Sequence, residues 1–133
     1  MGHQDHRLDA LTLLHCNVNG LRNSITELKQ ITNEDDPDII TLNETKLSPQ
    51  DTINLPNYTA IRLDKDRRSG GIAILHKTTL PVTKIYLQDL GQTEILTIKI
   101  TLNKKRNNMA PQSTDRNCIL HYYQECCAKG EYH

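Results

Sequence analysis

Residues 13–25 read LLHCNVNGLRNSI. An apolar run stops at two asparagines and a glycine, and a helical pattern starts at once. Upstream, residues 10–16 (ALTLLHC) are short, apolar and β-compatible, which predicts a buried strand. Downstream, Leu21, Ile25, Leu28 and Ile31 recur at helical spacing and predict an amphipathic helix to about Thr32. Ser24 followed by Glu27 fits a capping box and places the helix start near Ser24. The run 33–37 (NEDDP) ends the helix. Residues 38–42 (DIITL) then form a second apolar run. Strand, helix and strand in this order predict a βαβ unit with parallel neighbours. Both strands would leave the sheet at one edge, with Asn17 and Asn19 after the first and Asn43 and Glu44 after the second. Ligands of open α/β sheets bind at such carboxyl ends.

Four further strands are predicted at 58–63, 71–76, 82–87 and 94–102, separated by turn signals at 64–70, 79–81 and 89–92. The alternation is clearest in TIKITL, where Ile98, Ile100 and Leu102 share a face. These strands read as an antiparallel meander that continues the same sheet. The flanks differ in texture. Residues 1–8 are polar and are expected to be a flexible leader. Residues 104–133 lack a hydrophobic period and are expected to be a disordered tail, with at most a short helix in CILHYYQECCAKGEYH. The folded unit is thus expected over 9–103.

A chain of 133 residues suits one domain with a single core. Lysine plus arginine balance aspartate plus glutamate at 16 each, so bulk charge does not select a polyanionic partner. A local basic strip would suffice for one. The start MGHQDHRLDA lacks the apolar stretch of a signal peptide, and no apolar run approaches the ~20 residues of a membrane span. An intracellular, reducing location without membrane contact is expected, and the four cysteines are expected to be thiols. Cys118, His121, Cys126 and Cys127 include enough soft ligands for zinc, but their spacing fits no familiar zinc arrangement. Unstructured tail thiols are the preferred reading.

Two short motifs, HCNVNGLR (15–22) and PDIITLNETKL (37–47), resemble the start of the endonuclease/exonuclease/phosphatase superfamily. RRSGGIAIL (67–75) resembles the strand entry of the apurinic-type endonuclease domains of non-LTR retrotransposons. The similarity covers about residues 10–102. It implies a partial four-layer α/β sandwich of the DNase I-like type, with one mixed sheet and a flanking helix, the second half being missing. It also implies Mg²⁺-dependent hydrolysis of a DNA phosphodiester, with Glu44 as catalytic group and metal ligand. Asn17 becomes the amide that orients a carboxylate or phosphate, and Asn19 lies near the metal. Arg22, Lys46 and Arg68 are candidate phosphate contacts. The chemistry fits these residue types, because Mg²⁺ is hard, prefers oxygen and often takes only one or two protein carboxylates. Taken singly the motifs are weak. Asn-x-Asn-Gly is also a common turn composition, and the 67–71 loop is also a plausible hairpin turn.

The family also places a tyrosine-containing segment, an Asp-x-Asn motif and a terminal Asp-His pair after the last of these strands. No terminal Asp-His pair occurs, since neither His121 nor His133 follows an aspartate; Asp115, the only aspartate after Asp89, is followed by Arg116 and Asn117 in a polar tail and is not read as the family's Asp-x-Asn. A tyrosine-containing segment is not expected either. Groups that act as a unit lose most of their effect when one part is gone, so negligible turnover is expected from these residues alone. A half-sandwich would bare the apolar inner face of its sheet and favour self-association. The alternatives are a non-catalytic DNA- or protein-binding remnant, a phosphatase-type member of the superfamily, or an unrelated α/β domain.

Overall fold

Strand β2 (Leu11–Asn17) and strand β3 (Ile39–Asn43) lie parallel and side by side, with Leu13 opposite Ile39 and Asn17 opposite Asn43. Helix α1 (Leu21–Asp35) connects them. The βαβ unit is therefore as expected. This computed structural model describes residues 2–8, 11–65, 67–90, 93–105 and 113–125.

The helix begins earlier than the capping box suggests. Gly20 occupies the cap position without a side-chain hydrogen bond, and Ser24 Oγ donates instead to the Val18 carbonyl at 3.1 Å. At the other end Asp36 turns left-handed (φ 46°), and its N–H closes on the Thr32 carbonyl at 2.9 Å. Pro37 then prevents continuation.

β5 (Ile72–Lys77) pairs antiparallel with β3, and β4 (Tyr58–Leu63) pairs with β5 on the outside. On the opposite edge, residues 2–8 form β1 (Gly2–Leu8), antiparallel to β2 over its whole length. The expected flexible leader is thus an edge strand. Its polar composition suits an edge, where one side has no strand partner. The resulting mixed sheet runs β1-β2-β3-β5-β4.

The meander does not extend this sheet. β6 (Val82–Asp89), β7 (Thr93–Lys105) and β8 (Ser113–Glu125) form a separate three-stranded antiparallel sheet. The expected disordered tail accordingly contains a 13-residue strand, and the short helix expected there is not formed within 113–125. A tyrosine-bearing strand, holding Tyr122 and Tyr123, also follows the last predicted strand after all. No long apolar run announces β8. Its pairing with β7 supplies what local sequence does not.

Two cores follow from the period-2 alternation of strands. On one face of the large sheet, Leu14, Cys16, Ile40, Leu42, Ala73 and Leu75 pack with Leu21 and Leu28 of the helix. On the other face, Leu11, Ile39, Ile72 and Ile74 meet Leu96, Ile98 and Ile100 of β7. All three β7 side chains are fully buried, each stabilising the fold by roughly 1.5–3 kcal/mol. The inner face expected to lie bare and to favour self-association is therefore covered by the second sheet. Helix, sheet and sheet form a partial four-layer α/β sandwich of the DNase I-like kind.

Candidate functional site

The rim at the carboxyl ends of β2 and β3 is built by three loops. Asn17 closes β2 in register with Asn43, and Glu44 is the next residue. The amide at 17 and the carboxylate at 44 thus belong to one edge. The first two loops are stitched by backbone: Gly20 N–H donates to the Glu44 carbonyl at 2.7 Å, and Leu21 N–H to the Thr45 carbonyl at 2.9 Å. The third loop is the basic glycine turn before β5. Thr45 N–H donates to the Gly71 carbonyl at 3.1 Å, and Lys46 N–H to the Gly70 carbonyl at 2.9 Å. Gly70 N–H in return donates to Glu44 Oε2 at 3.0 Å. The 67–71 segment is therefore a wall of the rim rather than only a hairpin turn.

The backbone is unusual here. Asn19, Gly20, Glu44, Lys46, Gly70 and Gly71 all have positive φ, six of the eight such residues among those described. Left-handed non-glycine residues cost free energy and persist where surrounding structure enforces them, often at functional sites. The backbone hydrogen bonds between the loops do the enforcing.

Basic residues gather on the loops that flank Glu44. Asn19, Gly20, Arg22, Asn23, Lys46 and Arg67 line a depression of about 450 Å³. Ser48, Gln50, Arg67 and Arg68 line a second, of about 580 Å³. Arg67 is common to both, so the two form one basic strip. Lys46 Nζ donates to Asn19 Oδ1 at 2.7 Å. Arg67 is tethered through Nη2 and Nε to the Asp51 carboxylate, at 2.9 and 3.2 Å. Asp51 also accepts from Ser48 N–H at 2.9 Å. That backbone donor, and then Arg67, hold the Asp51 carboxyl down to about 2. Arg62 braces the same loop by donating to the carbonyls of Ser48 and Asp51.

The residues proposed from sequence thus converge: Asn17, Asn19, Arg22, Glu44, Lys46 and Arg68 all sit on this rim or its basic strip. Asn19, the expected metal neighbour, lines the first depression, with its side-chain oxygen accepting from Lys46. Cys126 and Cys127 lie outside the described residues. His121 Nδ1 is hydrogen-bonded to Thr97 Oγ1 at 3.0 Å.

The site holds further residues to which the sequence assigns no role. Asn43 Oδ1 and Thr45 Oγ1 are buried without a hydrogen-bond partner. Beneath Asn17 and Asn43 on the same face, His15 Nδ1 is hydrogen-bonded to Thr41 Oγ1 at 2.8 Å, with Tyr122 edge-on to the His15 ring at 5.7 Å. Burial pushes the Tyr122 hydroxyl well above its ordinary range. Glu94, fully buried on β7, accepts from Gly71 N–H through both carboxylate oxygens at 3.0 Å. A signal for Glu94 exists in the sequence: it falls in the inward phase of Leu96, Ile98 and Ile100, where a carboxylate is out of place.

The donors at the rim suit a hard cation. Glu44 offers a carboxylate there, and Asn43 Oδ1, one residue before it, is buried without a hydrogen-bond partner. Among the described residues no group of three His, Cys, Asp or Glu side chains is arranged to hold a metal. A single carboxylate with neutral oxygens and water matches Mg²⁺, which keeps much of its hydration, and does not match zinc.

Comparison with known proteins agrees with this geometry. The Endonuclease/Exonuclease/phosphatase family model matches residues 14–121. The match spans both sheets and runs into β8, beyond the stretch of resemblance read from sequence. The chain belongs to this family of nucleases and phosphatases, whose members are commonly metal-dependent. No curated protein matches the chain. No described helix is long and apolar enough to cross a membrane.

Proposed function

We propose that the chain engages the phosphodiester backbone of DNA at the Glu44 rim, in the manner of a retrotransposon-type, Mg²⁺-dependent endonuclease domain. One observation carries the reading: a basic strip of Arg22, Lys46, Arg67 and Arg68 lines two depressions on the loops that are hydrogen-bonded to the Glu44 loop. A strip that continues past a single depression suits a polyanion better than one small phosphoester. The likeness of residues 67–75 to retrotransposon domains supports the same choice of substrate.

In this reading Glu44, helped by Asn43 Oδ1, holds Mg²⁺, which when bound offsets the charge on the scissile phosphate. Asn17 orients a phosphate oxygen by donating from its amide. The lysine and arginines position neighbouring phosphates. The sequence has no terminal Asp-His pair, and its Asp-x-Asn spacing at Asp115-Arg116-Asn117 lies on β8 opposite Asn103, nine residues along β7 from Glu94 at the rim. These residues therefore bind and orient the backbone, with negligible turnover of their own.

The test uses supercoiled and abasic-site DNA with the purified protein, with and without Mg²⁺. The expected result is salt-dependent binding and no cleavage above background. Cleavage that disappears in Glu44→Ala would contradict the absence of turnover. Binding insensitive to both salt and the removal of Lys46 and Arg67 would overturn the backbone contact.

A further inference from the structure

Glu94 belongs to the second sheet, yet it reaches the rim of the first. Its carboxylate is completely buried, and both oxygens receive the Gly71 N–H at 3.0 Å. The preceding N–H, that of Gly70, donates to Glu44 Oε2 at 3.0 Å. Two adjacent peptide N–H groups therefore serve two carboxylates, one from each sheet. The carbonyls of the same two glycines accept from Lys46 and Thr45, the residues that follow Glu44. The glycine pair is held from both sides in a left-handed conformation (φ 77° and 91°). A methyl at either position would crowd a neighbour, so only glycines allow this approach.

A buried carboxylate is costly unless well hydrogen-bonded, and an apolar residue at this inward position would extend the row of Leu96, Ile98 and Ile100. The geometry gives a reason for retaining the charge. A charge-assisted hydrogen bond is roughly twice as strong as a neutral one and adds geometric specificity. It fixes the 70–71 peptide, which the left-handed Gly70 joins at its Cα to the 69–70 peptide that carries the Gly70 N–H.

We propose that Glu94 is a positioning residue for Glu44, clamping the Gly70–Gly71 turn so that the Gly70 amide holds the Glu44 carboxylate in its cation-binding orientation. The inference rests on the reading of Glu44 as the cation ligand. It also gives the second sheet a part in the site.

The experiment measures Mn²⁺ affinity by calorimetry and the Gly70 amide signal by nitrogen-15 NMR, in wild type, Glu44→Ala and Glu94→Gln. Glu94→Gln is expected to keep the dispersion of the remaining amides while the Gly70 signal moves toward its Glu44→Ala position. Mn²⁺ affinity should fall about 10–100-fold, as for removal of a group that orients a ligand. If Glu94→Gln does not fold, Glu94→Asp keeps the charge and is expected to show the same displacement of Gly70 with a smaller fall in affinity. Mn²⁺ binding abolished in Glu44→Ala but unchanged in the Glu94 variants, with Gly70 unmoved, overturns the positioning role alone. Mn²⁺ binding that survives Glu44→Ala overturns the ligand reading and the proposal with it.

Discussion

Gly71 stands against Thr45 so closely that a methyl group on it would lie 2.3 Å from Thr45 Oγ1. Real side chains do not tolerate that distance, and φ at Gly71 is +91°, a conformation an L-residue avoids. Gly71→Ala should therefore destabilise the fold by more than about 1 kcal/mol, the lower end for strained backbone. Combining it with Thr45→Ala removes the clash and leaves the strain, so part of the stability should return. Urea midpoints of the two proteins check this; a midpoint unaffected by Gly71→Ala would refute the close approach.

Lys46 and Arg67 line the same depression but are held differently, Lys46 by Asn19 and Arg67 by Asp51. If each meets a phosphate, replacing either with alanine should weaken binding to all DNA sequences about equally. The slope of log affinity against log salt should become shallower by roughly 0.9 for each phosphate no longer neutralised. Fluorescence anisotropy over a salt series measures it. A slope that stays at the wild-type value would show that the side chain touches no phosphate.

Asp51 titrates at about 2, below its ordinary value near 3.8, because Ser48 N–H and Arg67 favour its charged form. The sign follows from linkage: stabilisation by this ion pair is fully present above the ordinary carboxyl range. It disappears as pH falls through the lowered value. The Arg67 tether should thus persist at pH 4 and open toward pH 2, values that bracket the two titration points. A carbon-13 carboxyl titration of Asp51 should place its midpoint near 2 in wild type and higher in Arg67→Ala. An ordinary midpoint of about 3.8 in both would dismiss the tether.

Ile98 of β7 is fully buried between the sheets, whereas Ile119 of β8 is 52% exposed. Ile98→Ala should cost about 2–5 kcal/mol and loosen the packing between the sheets. Ile119→Ala should lie within about 0.5 kcal/mol of wild type, as surface changes do. Equal destabilisation by the two variants would mean that the second sheet does not pack through this face. Chemical denaturation with tyrosine fluorescence distinguishes the outcomes.

Much of this is legible locally. The helical spacing of Leu21, Ile25, Leu28 and Ile31 locates α1, and alternation in 94–102 locates β7. The rim residues Asn17 and Glu44 are legible because parallel strands must end on the same edge. Ser24 misleads, since a capping box describes only local chain chemistry, and Val18 offers its hydroxyl another acceptor. β1 and β8 escape a local reading because their residues carry no apolar period; each forms along a neighbour that is already a strand.

Local pattern by itself determined the βαβ unit, the glycine turn and the residue types at the rim, because periodicity and turn chemistry act over a few neighbouring positions. Only the tertiary structure decided that residues 82–89, 93–105 and 113–125 would form a second sheet rather than lengthen the first. It alone brought Glu94 to Gly71, 23 positions away in sequence. Strand pairing and the burial of a carboxylate depend on which surfaces meet across space, and that information is not carried by any one segment.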